Sequence, residues 1–120
     1  MKGQIDGFGR ALIAISLRPT DDLPLISVEA WIDTGFNGDL VLPKNLISQL
    51  GLIHSGTVKA ILADGSQVTL KTFACQLDWF GSQRDLEIVS NDGEYPLLGV
   101  GLLLDHDLYL SYRSGEISLI

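Results

Sequence analysis

The sequence predicts an all-β domain with one or two short helices. Runs of β-branched and aliphatic residues recur along the 120-residue chain. Turn signals built on Gly, Asp and Asn separate them. No long 3.6-period segments alternate with the strands, as a parallel α/β sheet would require.

The elements follow in order. Ala11 to Leu17 is a β-branched run that stops before Pro19. Asp21-Asp22-Leu23-Pro24 reads as a turn. Leu25 to Ile32 alternates, with Ile26, Val28, Ala30 and Ile32 on one face and Asp33 at the strand's end. Leu40 to Leu42 is a short strand. Pro43 then sits at a helix start, Leu46, Ile47 and Leu50 share a face, and Gly51 terminates the helix. Thr57 to Ala63 and Ser66 to Phe73 form a hairpin around Asp64-Gly65, read as a two-residue turn. Two more strands are expected, Cys75 to Phe80 and Arg84 to Ser90, and then the short apolar run Leu97-Leu98-Gly99. A helical turn is expected at Val100 to Leu104. Leu108 to Tyr112 and Glu116 to Ile120 close the chain as a hairpin, and the last of these is apolar enough to pair with its own copy.

Length and composition predict a single domain over residues 1–120, large enough to bury a core without staples. The net charge is −7, with eight scattered Lys and Arg, which argues against a nucleic-acid partner. No apolar run approaches the ~20 residues that span a bilayer, and the first residues lack the apolar core of a signal peptide. A single cysteine, Cys75, excludes an internal disulfide and is read as a small buried residue. A cytoplasmic location is therefore expected.

Asp33-Thr34-Gly35 carries the chemistry. An acid at a strand end, followed by Thr and Gly, suits a tight loop that presents a carboxylate, and Gly35 lets backbone N–H groups approach it. After it come Phe36 to Pro43, the glycine-tipped Ala63-Asp64-Gly65-Ser66, and Leu97-Leu98-Gly99. This ordered set resembles the retropepsin-like (clan AA) aspartic proteases, in a cellular, prokaryotic-type form, over roughly residues 10 to 120.

The resemblance implies a retropepsin-like acid-protease half-barrel. It implies that Asp33 is the catalytic acid and that Thr34 joins a hydroxyl network tying two catalytic loops across a homodimer. Gly35 becomes the loop glycine. Ala63, Asp64 and Gly65 match the flap tip, and Leu97, Leu98 and Gly99 match the segment supporting the active-site loop. Phe36 departs from the Ala or Ser common in the family, so a large ring would stand beside the acid and reshape a subsite. Val100-Gly101-Leu102-Leu103 is also more apolar than usual after the support glycine. A peptide or protein substrate is implied, with no cofactor. The second reading keeps the fold as a catalytically silent dimeric β-barrel for binding or assembly, which a Phe36 ring blocking the cleft would favour.

Other features take plainer readings. Asp105-His106-Asp107 suggests a ligand cluster, but with His54 and His106 alone it reads as a polar turn and no metal is expected. Gly7-Phe8-Gly9 and Gly99-Val100-Gly101 lack the strand-then-helix context of a phosphate loop. Trp31 and Trp79-Phe80 read as core or interface. Ser111 and Ser114 have no ordered His-Asp partners. Asp85 and Glu87 read as a solvated strand face.

Overall fold

The computed structural model describes residues 1–120. Ten strands and two short helices follow in the order β1 (Lys2–Ile5), β2 (Ala11–Arg18), β3 (Ile26–Ile32), β4 (Leu40–Pro43), α1 (Lys44–Leu50), β5 (Ile53–Ile61), β6 (Gln67–Trp79), β7 (Ser82–Asn91), β8 (Leu97–Leu98), α2 (Val100–Leu103), β9 (Leu108–Ser111) and β10 (Glu116–Leu119). The strands form one sheet in the order β5-β6-β7-β4-β8-β3-β2-β1-β10-β9. A further β6–β2 pairing, Ser16 to Arg18 against Gln76 to Asp78, joins two distant strands of that order. Strands β2, β3, β8, β4, β7 and β6 thereby close into a ring.

Period-two patterning fills that ring. Ala11, Ile13, Ile15 and Leu17 of β2 point inward, as do Cys75, Leu77 and Trp79 of β6 and Leu86 and Ile88 of β7. With Leu40, Leu42, Leu98 and Leu102 they form one contiguous core. Each fully buried aliphatic side chain there stabilises the fold by roughly 1.5–3 kcal/mol. In β3 burial deepens along the strand: Ile26 is exposed, whereas Ala30 and Ile32 are buried. The strand thus starts in solvent and ends anchored, immediately before Asp33.

Helix α1 ends as expected. Gly51 adopts φ +69° and donates to Ser48, while Leu52 donates to Ile47, the paired bonds of a Schellman cap. Neither helix is long and apolar enough to cross a membrane.

Four sequence expectations need correction. Strand β1 was not anticipated, because Lys2-Gly3-Gln4-Ile5 has no apolar run. It pairs with both β2 and β10, and a Cβ on Gly3 would overlap the Leu12 carbonyl. The two strands expected on either side of Ala74 are the single strand β6, since no breaker interrupts Phe73-Ala74-Cys75. Asp64-Gly65 does not form a two-residue turn. Gly65 donates to the Leu62 carbonyl and Leu62 to that of Ser66, with Gly65 alone at positive φ, so the tip is a type I turn with a glycine bulge. Finally, β10 lies between β1 and β9 and has no free edge to offer a copy of itself; the free edges belong to β5 and β9.

Candidate active site

Strand β8 builds the site. It runs parallel to β3, pairing Trp31 with Leu97 and Ile32 with Leu98, and antiparallel to β4, pairing Leu40 with Leu98. The chain leaving β3 at Asp33 returns through β4, and β8 is threaded between the two. Crosslinks follow along the whole loop. Asp33 N–H donates to the Leu98 carbonyl at 2.8 Å, Gly99 N–H to Asp39 at 2.9 Å, Val100 N–H to Phe36 at 2.8 Å and Gly101 N–H to Gly38 at 3.0 Å. The Asp33 loop is therefore fixed from beneath by its backbone.

Glycines make this close approach possible. A Cβ on Gly99 would overlap the Gly38 carbonyl and the Phe36 ring, and would come within 2.8 Å of the Phe36 oxygen. One on Gly101 would overlap the Asp39 carboxylate. Gly99-Val100-Gly101 is thus a packing device. The Phe36 ring, partly buried, lies on Gly38, where a Cβ would come within 2.5 Å of Cζ. Its bulk occupies space that the missing side chains of Gly38 and Gly99 leave.

Asp33 itself is half-buried, while Thr34 and Gly35 are exposed. Gly35 N–H donates to Asp33 Oδ1 at 2.9 Å, and Phe36 N–H to the Asp33 carbonyl at 3.2 Å. No group of the chain bonds Asp33 Oδ2 or the Thr34 hydroxyl. The acid borders a small cavity of about 230 Å³ shared with Trp31, Ile32 and Leu97. Beside it Trp31 meets Tyr95 edge-on at 6.3 Å, and the Arg10 guanidinium lies 4.4 Å from the Tyr95 ring centre.

A second, larger cavity of about 720 Å³ lies between the Asp33 loop and the hairpin strand β5. Gly35 to Val41 form one wall, Val58 to Ile61 the other, and Leu70 and Val89 line it as well. The hairpin tip is exposed from Ile61 to Ser66, and its Asp64 accepts from the Ser66 hydroxyl at 2.6 Å and from the Ser66 N–H at 2.9 Å. Those two bonds, the hydroxyl's foremost, hold the Asp64 carboxyl below the usual range. Ala63, Asp64 and Gly65 are not among the residues bordering the cavity, which meets the hairpin along its shaft.

Glu87 is the residue the sequence reading missed. Its exposed carboxylate borders the large cavity and ties its own strand β7 to β5 and β6 rather than being freely solvated. The Ser55 hydroxyl donates to Oε1 at 2.8 Å and the buried Thr72 hydroxyl at 2.9 Å. Both hydroxyl protons are then used, leaving the two hydroxyl oxygens in contact at 3.0 Å. The Ser55 bond, then the Thr72 bond, lowers the Glu87 carboxyl below its ordinary value. Its partners come from β5 and β6, so nothing local in the sequence marks it.

Two other features stand apart from chemistry. His106 is engaged on both ring nitrogens: Trp79 Nε1–H donates to Nε2 at 3.2 Å, and Nδ1 lies 3.1 Å from the Ile120 carbonyl. No group of three or more His, Cys, Asp or Glu is placed to hold a metal. Cys75 is buried, and burial pushes its thiol up to about 11.

No family model matches the sequence, and no curated protein matches it. Solved structures do. A retropepsin-like aspartic protease from Rickettsia conorii superposes with TM-score 0.67 at 16% identity, over 99% of this chain and 88% of that one. The EIAV protease in complex with the inhibitor HBY-793 gives TM-score 0.57 at 16% identity, over 80% and 86%. The retroviral protease-like domain of Ddi1 from Leishmania major gives 0.50 at 9% identity, over 90% and 87%. The fold of this chain is that of the retropepsin-like aspartic proteases.

Proposed function

We propose that this chain is an aspartic endopeptidase acting as a homodimer, with Asp33 of each protomer forming the catalytic pair. One observation carries the reading. Asp33 sits half-buried on an exposed loop that β8 braces from beneath, with Oδ1 held by Gly35 N–H and Oδ2 uncommitted.

The chemistry requires two acids. One carboxylate takes a proton from water as the water oxygen attacks the peptide carbonyl. One carboxylic acid protonates the carbonyl oxygen, and the tetrahedral intermediate then expels the amine with a proton from the pair. Two carboxyls about 3 Å apart share a proton and titrate together. The chain has one Asp-Thr-Gly, so symmetry supplies the second acid. The exposed, unpartnered Thr34 hydroxyl suits a contact with the partner's loop. An extended peptide fits the cleft between that loop and β5, whose outer edge is unpaired. A cytoplasmic setting, where Cys75 stays a thiol, suits the reading. The silent-scaffold alternative drew on a Phe36 ring filling the cleft; the ring's seat on Gly38 and Gly99 favours the peptidase.

Cleavage of a mixed fluorogenic peptide library tests this. The chain is expected to cut peptides, to be inhibited by pepstatin, and to lose activity in Asp33→Asn with its sedimentation unchanged. Undiminished cleavage by Asp33→Asn refutes the assignment.

A further inference from the structure

The large cavity combines two features. Its walls are apolar, from Phe36, Leu40, Val58, Ile61, Leu70 and Val89. Glu87 adds a carboxylate whose position is set by two hydroxyls on Oε1, while Oε2 has no partner in the chain. A long apolar stem ending in a cation satisfies both, and among side chains only Lys and Arg have that form. The cavity, about 720 Å³, has room for such a side chain.

Neighbouring charges leave Glu87 available. Lys59 also borders the cavity, but it is exposed and forms no ion pair with Glu87; the chain's two ion pairs are Asp6–Arg10 and Lys44–Asp92. Asp39 borders the same cavity and adds to its negative potential.

We propose that this cavity is a side-chain subsite selecting Lys or Arg in an extended peptide, with Glu87 as its specificity-determining acid. The inference rests on the peptide-cleft reading of the same site. Glu87 does not touch the scissile bond; it sets which peptide is held.

Binding, measured apart from cleavage, tests it. The Asp33→Asn chain is titrated with pairs of fluorescein-labelled decapeptide pools, randomised at all positions but one. That position holds Lys in one pool and norleucine in its match, and is moved along the peptide. At one position the Lys pool is expected to bind about twofold to fivefold tighter, as for a partly exposed charge pair. Adding Glu87→Gln should abolish the difference without weakening norleucine-pool binding, because the amide oxygen still accepts from Ser55 and Thr72. Equal binding of the pools at every position, no binding of either, or a preference that survives Glu87→Gln overturns the proposal. Cleavage by the chain with Asp33 intact is scored separately. Selective binding without cleavage refutes the peptidase and leaves the subsite standing, whereas cleavage without selectivity does the reverse.

Discussion

The main-chain N–H of Asp33 donates to the carbonyl of Leu98 at 2.8 Å, joining the candidate catalytic acid to a segment 65 positions away in sequence (98 − 33). That bond holds only while Gly99, the next residue, allows β8 to lie against the Phe36 to Gly38 backbone. Gly99→Ala puts a methyl group onto the Gly38 carbonyl, a backbone atom that cannot swing away. The expected cost is about 1–3 kcal/mol of stability from overpacking. Peptidase activity should fall further, about 100-fold, because an acid displaced by ~1 Å is no longer in register with its mate. Phe36→Ala in the same chain should not restore activity, since the ring is only one of three obstacles and the Gly38 and Phe36 carbonyl oxygens remain. Thermal unfolding and peptide cleavage read the two effects separately, and full rescue by Phe36→Ala would assign the defect to the ring alone.

The proposed pairing of two half-sites has a kinetic consequence. Specific activity should decline on dilution as dimers separate. Asp33→Asn chain added in about fourfold excess should cut wild-type activity to roughly one fifth under random pairing. The amide keeps an oxygen to accept from Gly35 N–H, so the variant should fold and compete. Activity that ignores both dilution and the added variant would mean that each chain works alone.

Strands β2 and β3 could be read from local pattern because one face of each is buried, and α1 because Gly51 stops it. Elements set by distant partners were less legible. Strand β1 is held by its neighbours rather than by its own apolar content, and Gly3 is there because Leu12 runs so close. The hairpin tip shows the same limit in miniature. Asp64-Gly65 correctly marked a reversal, but the ladder from Ile61 to Gln67 leaves room for a bulge rather than a two-residue turn. At the site, Asp33-Thr34-Gly35 and Leu97-Leu98-Gly99 were visible as words, and only their order suggested that they meet. Glu87 was invisible because Ser55 and Thr72 reach it across two strand pairings.

Cys75 offers a test of the core independent of catalysis. Burial pushes its thiol up to about 11, so at neutral pH almost none is thiolate. A colorimetric disulfide reagent at pH 7–8 should react with the native chain far more slowly than with a free thiol of ordinary pKa ~8.5. In denaturant, one thiol per chain should react at once, matching the single cysteine. Fast reaction of the folded chain would mean that the ring around Leu77 and Trp79 opens readily.

Acid should loosen the β5–β6 hairpin at both ends. Glu87, at its base, is held below its ordinary value of 4.5 by Ser55 and then Thr72; Asp64, at its tip, is held below 3.8 by Ser66. A carboxyl with a lowered folded-state value stabilises the fold above its ordinary value and loses that contribution as pH falls through the lowered one. The window therefore opens below 4.5 for Glu87 and below 3.8 for Asp64. Glu87→Gln and Asp64→Asn should each lower the unfolding temperature slightly at neutral pH. The gap to wild type should close as the pH is taken below these values, because the protonated acids then resemble the amides. Protection of the Thr57 to Ser66 amides against exchange, corrected for the intrinsic slowing of exchange in acid, should fall over the same range in the wild type. A gap between wild type and Glu87→Gln that keeps its neutral-pH size in strong acid would show that the two hydroxyls bond the carboxyl equally well in either charge state.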